Sequence, residues 1–135
     1  MKLLTICLML SSAFLRAQDD PFRDIFFPPE LVIQNQQALG LSDDQRNYLS
    51  SEVSRAQATF TELQWKLQDE IGKLTTLLRQ QPADEQKSLG QLDKVLAVER
   101  DVKKAQVTLM LRMRNNLHPE QIAKLREIQA KHLTK

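Results

Sequence analysis

Cysteine, glycine and aromatic residues are all scarce in this chain of 135 residues. It contains one cysteine, three glycines and only 5% aromatic side chains. The cysteine, Cys7, lies inside an apolar run near the N-terminus, so the remainder of the chain has no thiol for a disulfide. Few glycines together with 27% charged residues predict an all-α protein with few turns. Such a protein must be stabilised by packing alone.

The residues also argue against catalysis. There is no glycine-rich phosphate loop and no Ser-His-Asp set, and the two histidines are His118 and His132. If they share a helix, they lie roughly 20 Å apart at about 1.5 Å per residue and cannot act on one centre. No interleaved aromatics accompany the basic residues, which excludes a typical nucleic-acid reader. We expect no enzyme, no cofactor and no nucleic-acid partner.

The first eighteen residues are typical of a secretory signal peptide. Lys2 supplies a positive start, an apolar run extends from Leu3 to Leu15, and the small residue Ala17 follows. The run is too short to span a bilayer comfortably. We therefore predict a signal peptide over residues 1–18 and no membrane insertion after its removal. An uncleaved anchor is the alternative.

Charge is distributed unevenly along the chain. Residues 19–99 contain 8 basic and 14 acidic side chains, whereas residues 100–135 contain 9 basic and 3 acidic ones. The acidic N-terminal part and the basic C-terminal part attract each other, either within one chain or between two copies.

Prolines, glycines and helix caps divide the rest of the chain. Three prolines between positions 21 and 29 predict a flexible arm over residues 19–29, followed by a helical domain over residues 30–135. Gly40 is predicted to close the first helix in a left-handed conformation. The four predicted helices cover residues 30–39, 43–81, 84–116 and 119–133.

Two of these helices begin with a similar motif. The copies are Leu41-Ser42-Asp43-Asp44-Gln45 and Leu117-His118-Pro119-Glu120-Gln121. In each copy a residue in the cap position is followed three residues later by a glutamine, whose side chain can reach back to the cap backbone N–H. Proline suits the first helical position, because its missing N–H would have no partner there. Locally, each copy is a helix start.

The apolar spacing predicts that the second and third helices pack as an antiparallel hairpin. Apolar residues recur at steps of three and four, with one extra step of four near Leu67. The predicted seam pairs Leu49 with Leu117, Ala56 with Leu109, Leu63 with Val102, Ile71 with Val95, and Leu74 with Leu92. A long hairpin with two short flanking helices leaves much surface exposed, and dimerisation is the usual way to stabilise such a shape.

This order of signal peptide, short helix, motif, hairpin and second motif resembles the Spy/CpxP superfamily of periplasmic stress proteins. The superfamily is marked by a doubled Leu-Thr-x-x-Gln, and here Ser42 and His118 occupy the threonine positions. It includes heavy-metal resistance sensors, whose corresponding stretch is similar to LMLRMRNNLHPEQ. The resemblance implies a dimeric four-helix cradle in the periplasm. It would bind unfolded or envelope proteins, or a signalling sensor, without ATP; the alternative is a heavy-metal sensor.

Under the chaperone interpretation, the client surface lies off the hairpin seam. Methionine adapts to many partners, and tryptophan and arginine suit promiscuous contacts. The alternative is that the flanking helices or a dimer partner cover this surface. Its predicted members are Trp65, Val107, Met110, Leu111, Arg112 and Arg114.

The metal interpretation has fewer residues to support it, because a metal site needs convergent donors. The sensor branch implies a histidine in the short helix and another one turn before the methionine of the third helix. Here the short helix carries glutamines, and Leu109 occupies the second position. The remaining candidates are Met113, which we interpret as core, and His118, which we interpret as a helix cap. We therefore predict no metal site.

Removal of the signal peptide is directly testable. Because the apolar run ends near Ala17, mass spectrometry of the exported protein should give a mature N-terminus at or next to Gln18. An intact Met1 on the exported protein would instead establish the anchor alternative.

Overall fold

The computed structural model describes Phe22 and residues 25–134, and these residues form four helices and no strand. The predicted signal peptide and residues 19–21, 23 and 24 of the predicted arm lie outside the described residues. The prediction of an all-α chain with two long helices packed together is confirmed. The helices are α1 (Pro29–Gln34), α2 (Asp43–Leu78), α3 (Glu85–Asn115) and α4 (Pro119–Leu133).

The first helix is shorter than predicted. It ends at Gln34 instead of continuing to position 39. The side-chain amide of Asn35 donates to the carbonyl of Leu31 at 2.7 Å, and such bonds compete with the backbone donors that would extend the helix. A series of turns therefore connects α1 to α2.

Gly40 closes this connection in the left-handed conformation that the sequence predicted. Its φ is 62°. The N–H of Gly40 donates to the Gln37 carbonyl at 3.0 Å, and the N–H of Leu41 donates to the Gln36 carbonyl at 3.1 Å. These two bonds form a Schellman closure, which lets the chain reverse direction before α2 begins.

The capping box of α2 is as predicted, and α3 also has a side-chain cap, but α2 ends early. Ser42 Oγ accepts from the N–H of Gln45 at 3.1 Å, and Gln45 Oε1 accepts from the N–H of Ser42 at 3.0 Å. At the start of α3, the Asp84 carboxylate accepts from the N–H of Lys87 at 2.9 Å. The second helix stops at Leu78, three residues before the predicted end.

The apolar core lies at one end of the hairpin, where the start of α2 and the end of α3 meet α1 and α4. Leu125 of α4 is fully buried, and Val32 of α1 is 1% exposed. Phe27 belongs to the predicted arm, yet it is 4% exposed and packs in the same core. The other buried members are Leu39, Leu41, Leu49, Leu109, Met113 and Leu117.

Polar side chains bridge the two long helices at several levels. Near the core, Glu52 of α2 pairs with Arg112 of α3 at 2.8 Å. Farther out, Gln91 of α3 donates to the backbone carbonyl of Glu70 in α2 at 2.9 Å. Because sequence numbers rise in one helix as they fall in the other, the helices run antiparallel.

The outer half of the seam differs from the predicted pattern. Ile71, a predicted seam residue, is 43% exposed, and Leu78, which continues the same apolar spacing, is 57% exposed. Glu70 and Leu77 are partly buried in their place. Positions 63, 67, 70, 74 and 77 keep regular steps of four and three, so the helix retains its heptad and accepts a carboxylate in the seam.

Hydrogen bonds compensate for the partial burial of Glu70. Its carboxylate accepts from Gln91 Nε2 at 2.5 Å and from Lys73 Nζ at 3.2 Å. Lys73 also pairs with Asp69 at 2.7 Å. The bond from Gln91, aided by Lys73, holds the pKa of Glu70 below its ordinary value of 4.5. The ionised form of Glu70 is therefore the one that the fold stabilises.

We expect Glu70 to make the hairpin sensitive to acid. A lowered pKa in the folded state gives stability that is complete above the ordinary value and is lost as the pH falls through the lowered one. Urea unfolding measures the free energy of unfolding at about pH 6 and at about pH 3. Its decrease between these two pH values should be smaller for Glu70→Gln than for the unchanged protein.

The control is Glu62→Gln, which alters an exposed glutamate of the same helix. It should lose as much stability on acidification as the unchanged protein. Equal losses for all three proteins would contradict the role of Glu70.

Candidate functional site

The two copies of the motif meet in the interior. The side chains of Gln45 and Gln121 are 76 positions apart in sequence, and the residues are 7% and 8% exposed. Gln45 Nε2 donates to Gln121 Oε1 at 2.9 Å, and Gln121 Nε2 donates to Gln45 Oε1 at 3.2 Å. The amides thus form a reciprocal pair, which we call the amide pair.

Each amide of the pair also donates to a neighbouring backbone carbonyl. Gln45 Nε2 donates to the carbonyl of Asn116 at 2.8 Å, just past the end of α3. Gln121 Nε2 donates to the carbonyl of Leu39 at 3.2 Å, in the turn after α1. The amide pair therefore connects the starts of α2 and α4 to the chain segments that follow α3 and α1.

The cap residues complete the network. Gln45 Oε1 accepts from the N–H of Ser42 at 3.0 Å, and Gln121 Oε1 accepts from the N–H of His118 at 2.8 Å. Each side-chain amide thus makes two donor and two acceptor bonds, which is its full capacity. Burial of two polar groups is tolerated because no polar atom of either amide lacks a partner.

The motif residues therefore organise the fold and present little to a partner. Leu41 and Leu117 are 5% and 7% exposed and pack in the core. Ser42 and His118 lie at the surface, but both occupy cap positions. The motif is a structural junction between the helices.

The predicted client surface is exposed in its apolar part. Trp65 is 70% exposed, Leu111 is 43% exposed and Val107 is 38% exposed. Met110 is only partly exposed. The helices of this chain therefore leave three of the four predicted apolar residues substantially uncovered.

Of the two predicted arginines, Arg112 is exposed but paired within the fold, and Arg114 is partly buried. Arg112 pairs with Glu52, whose side chain is 6% exposed, and Glu52 also pairs with Arg55 at 2.7 Å. The hydrogen bond that Arg112 donates to the Glu52 carboxylate raises the pKa of Arg112. Arg114 is partly buried, and its Nε atom has no hydrogen-bond partner. Arg112 therefore connects α3 to α2.

Sequence reasoning missed the pairing of Glu52 with Arg112 and Arg55. Glu52 follows Leu49 by three positions and precedes Ala56 by four, so the seam spacing places it inside. A cavity of about 130 Å³ lies beside it, lined by Ala56 and Leu109 among others. A count of apolar residues alone does not detect a carboxylate at a seam position.

Other exposed cations and apolar residues lie on α3. Leu96 is 49% exposed and lines a shallow groove of about 450 Å³ with Arg100 and Lys103. Lys103 and Arg100 also line an adjoining groove of about 400 Å³ with Val107. We call Leu96, Arg100, Lys103, Val107 and Leu111 the α3 face. Leu96 to Lys103 to Val107 follows helical spacing, which is the signal that could have revealed it.

The two metal candidates, Met113 and His118, differ in burial. Met113 is 2% exposed within the core, whereas His118 lies at the surface. In the part of the chain that the structure describes, no group of three or more His, Cys, Asp and Glu side chains is arranged to hold a metal ion. Among the same residues, no helix has the length and hydropathy needed to cross a membrane.

Comparisons with protein-family models, curated proteins and solved structures found no match to this chain. The resemblance to the Spy/CpxP superfamily therefore depends on the motifs and on the order of the helices.

The amide pair should be a strongly coupled structural element. Gln45→Leu leaves the Gln121 amide buried without its partner, and each unsatisfied buried group costs about 1–3 kcal/mol. Gln121→Leu should have a similar effect. The double variant should lose clearly less free energy of unfolding than the two single variants lose together, as measured by urea unfolding in a double-mutant cycle.

The matched control is Gln57→Leu, on the exposed surface of α2. It should change the free energy of unfolding by less than about 0.5 kcal/mol. Additive costs for Gln45→Leu and Gln121→Leu would show that the amide pair contributes no coupling.

Proposed function

We propose that this protein is a periplasmic chaperone or envelope-stress adaptor of the Spy/CpxP type, which binds unfolded or partner proteins without ATP. The observation that carries the proposal is the α3 face, where exposed apolar side chains flank two cations. The predicted export signal and the paired motifs support the same function.

The chemistry of the α3 face suits unfolded polypeptides. Covering its apolar side chains is worth roughly 25 cal/mol per Å² of area removed from water. Arg100 and Lys103 attract acidic segments of a client, and salt weakens that attraction. The grooves are shallow, so they impose little shape selection and accept many different sequences.

Binding of this kind needs no chemical step. The surface is present in the free protein, and its use requires neither a nucleotide nor a catalytic group. Release then depends on the affinity of each contact and on whether the client buries its own apolar residues by folding. Several weak contacts spread along a helix suit such reversible holding.

We infer that two copies associate. The hairpin consists of two long helices, and its main apolar cluster lies at one end. The acidic and basic parts of the chain give one copy charges that complement another. A dimer would enlarge the surface available to a client.

Holding activity should depend on the α3 face. The double variant Val107→Ser and Leu111→Ser removes two exposed apolar side chains, so it should suppress the aggregation of a chemically unfolded model substrate several-fold less well. Light scattering without ATP measures this. The control replaces Leu78 and Leu89, which are also exposed but lie at the far end of the hairpin, with serine.

Circular dichroism and sedimentation velocity distinguish the possible causes of a lost activity. Unchanged helicity and unchanged mass with reduced holding support the proposal. Loss of helicity would mean that these residues stabilise the fold, and a change from dimer to monomer would place them in the dimer interface. Full activity of the variant would rule out the α3 face as the client surface.

A further inference from the structure

The two long helices each contain a glycine at nearly the same level of the hairpin. Gly72 lies within α2, and Gly90 lies within α3. Gln91, adjacent to Gly90, donates to the carbonyl of Glu70, two residues before Gly72, at 2.9 Å. Because the helices are antiparallel and rise about 1.5 Å per residue, the two glycines lie within one turn of the same height.

No packing requirement accounts for either glycine. A Cβ atom built at Gly72 or at Gly90 meets no heavy atom within 4 Å. Among the described glycines, only Gly40 has a positive φ. Alanine would therefore fit at both positions and would favour the helix by about fivefold in equilibrium constant at each. The hairpin thus has two weak points side by side.

The segment beyond these glycines is also weakly held. The core at the other end of the hairpin includes no residue between positions 71 and 90. Ser88 is 7% exposed, and its Oγ has no hydrogen-bond partner. Leu78 and Leu89 are both more than half exposed. We call residues 70–91 the tip, which includes Glu70 and Gln91 at its base.

We propose that the tip opens and closes as a unit while the core and the amide pair stay folded. Gly72 and Gly90 are the points at which the two helices give way, and the bonds from Gln91 to Glu70 hold the closed form. Local opening of a poorly packed segment below the cost of global unfolding is a known property of folded proteins. Opening uncovers the partly buried Leu74 and Leu77, so the apolar surface of the hairpin grows reversibly.

Native-state hydrogen exchange, resolved by residue with NMR, tests this proposal. In the unchanged protein, amides of the tip should exchange at least about tenfold faster than those of residues 109–115. The double variant Gly72→Ala and Gly90→Ala should slow exchange in the tip by about fivefold for each glycine, because both helices resist opening. Gln91→Ala should act in the opposite direction, because the closed form loses its bonds to Glu70.

The matched control is Thr61→Ala, an exposed change in α2 that also favours the helix but lies outside the tip. It should leave exchange in the tip unchanged. The proposal is overturned if the tip and residues 109–115 exchange at one common rate. It is also overturned if the glycine variant leaves the tip unchanged, or protects residues 109–115 as strongly as the tip.

Discussion

The amide pair of Gln45 and Gln121 determines how the four helices meet. Six hydrogen bonds converge on two buried side chains, and these bonds reach a cap, a turn or a chain end next to every helix. A shift of one helix relative to another would leave polar atoms buried without partners. Since such atoms are costly, the network favours one arrangement over other compact packings with similar apolar burial.

Away from this junction, the hairpin is held by a different kind of contact. Glu52 and Glu70 occupy seam positions, and each is matched by donors from α3. Breaking a partly buried pair is costly, whereas its net gain over an apolar pair is small. These carboxylates therefore specify how the helices align more than they stabilise them. Stability is concentrated at the core, and the outer hairpin is left to provide surface.

Helix starts could be predicted from the sequence because capping is local chemistry. Ser42 and Gln45 lie three residues apart, and their reciprocal bonds formed as expected. The end of α1 was missed because the Asn35 side chain competes with the backbone there. Glu70 was missed because a carboxylate is tolerated in the seam only when Gln91 faces it, and apolar periodicity carries no such information.

For the candidate surfaces too, the sequence predicts local features but not which residues face each other in the fold. The exposure of Trp65 and Leu111 followed from helical spacing, because residues off the seam face outward. The engagement of Arg112 by Glu52 did not follow, because it depends on which residue lies opposite in the partner helix. From local chemistry, each copy of the duplicated motif is a helix start. The contact between the two copies belongs to the tertiary structure, because the local sequence of neither copy specifies it.

That meeting also sets an order for folding when the chain emerges with its N-terminus first. The amide pair joins positions 76 residues apart, so Gln121 becomes available only after the whole hairpin has emerged. Until then, Gln45 can cap its own helix but has no partner amide. The hairpin can form from neighbouring segments, whereas docking of the first helix must wait for the last one. The fold is therefore completed from its C-terminal end.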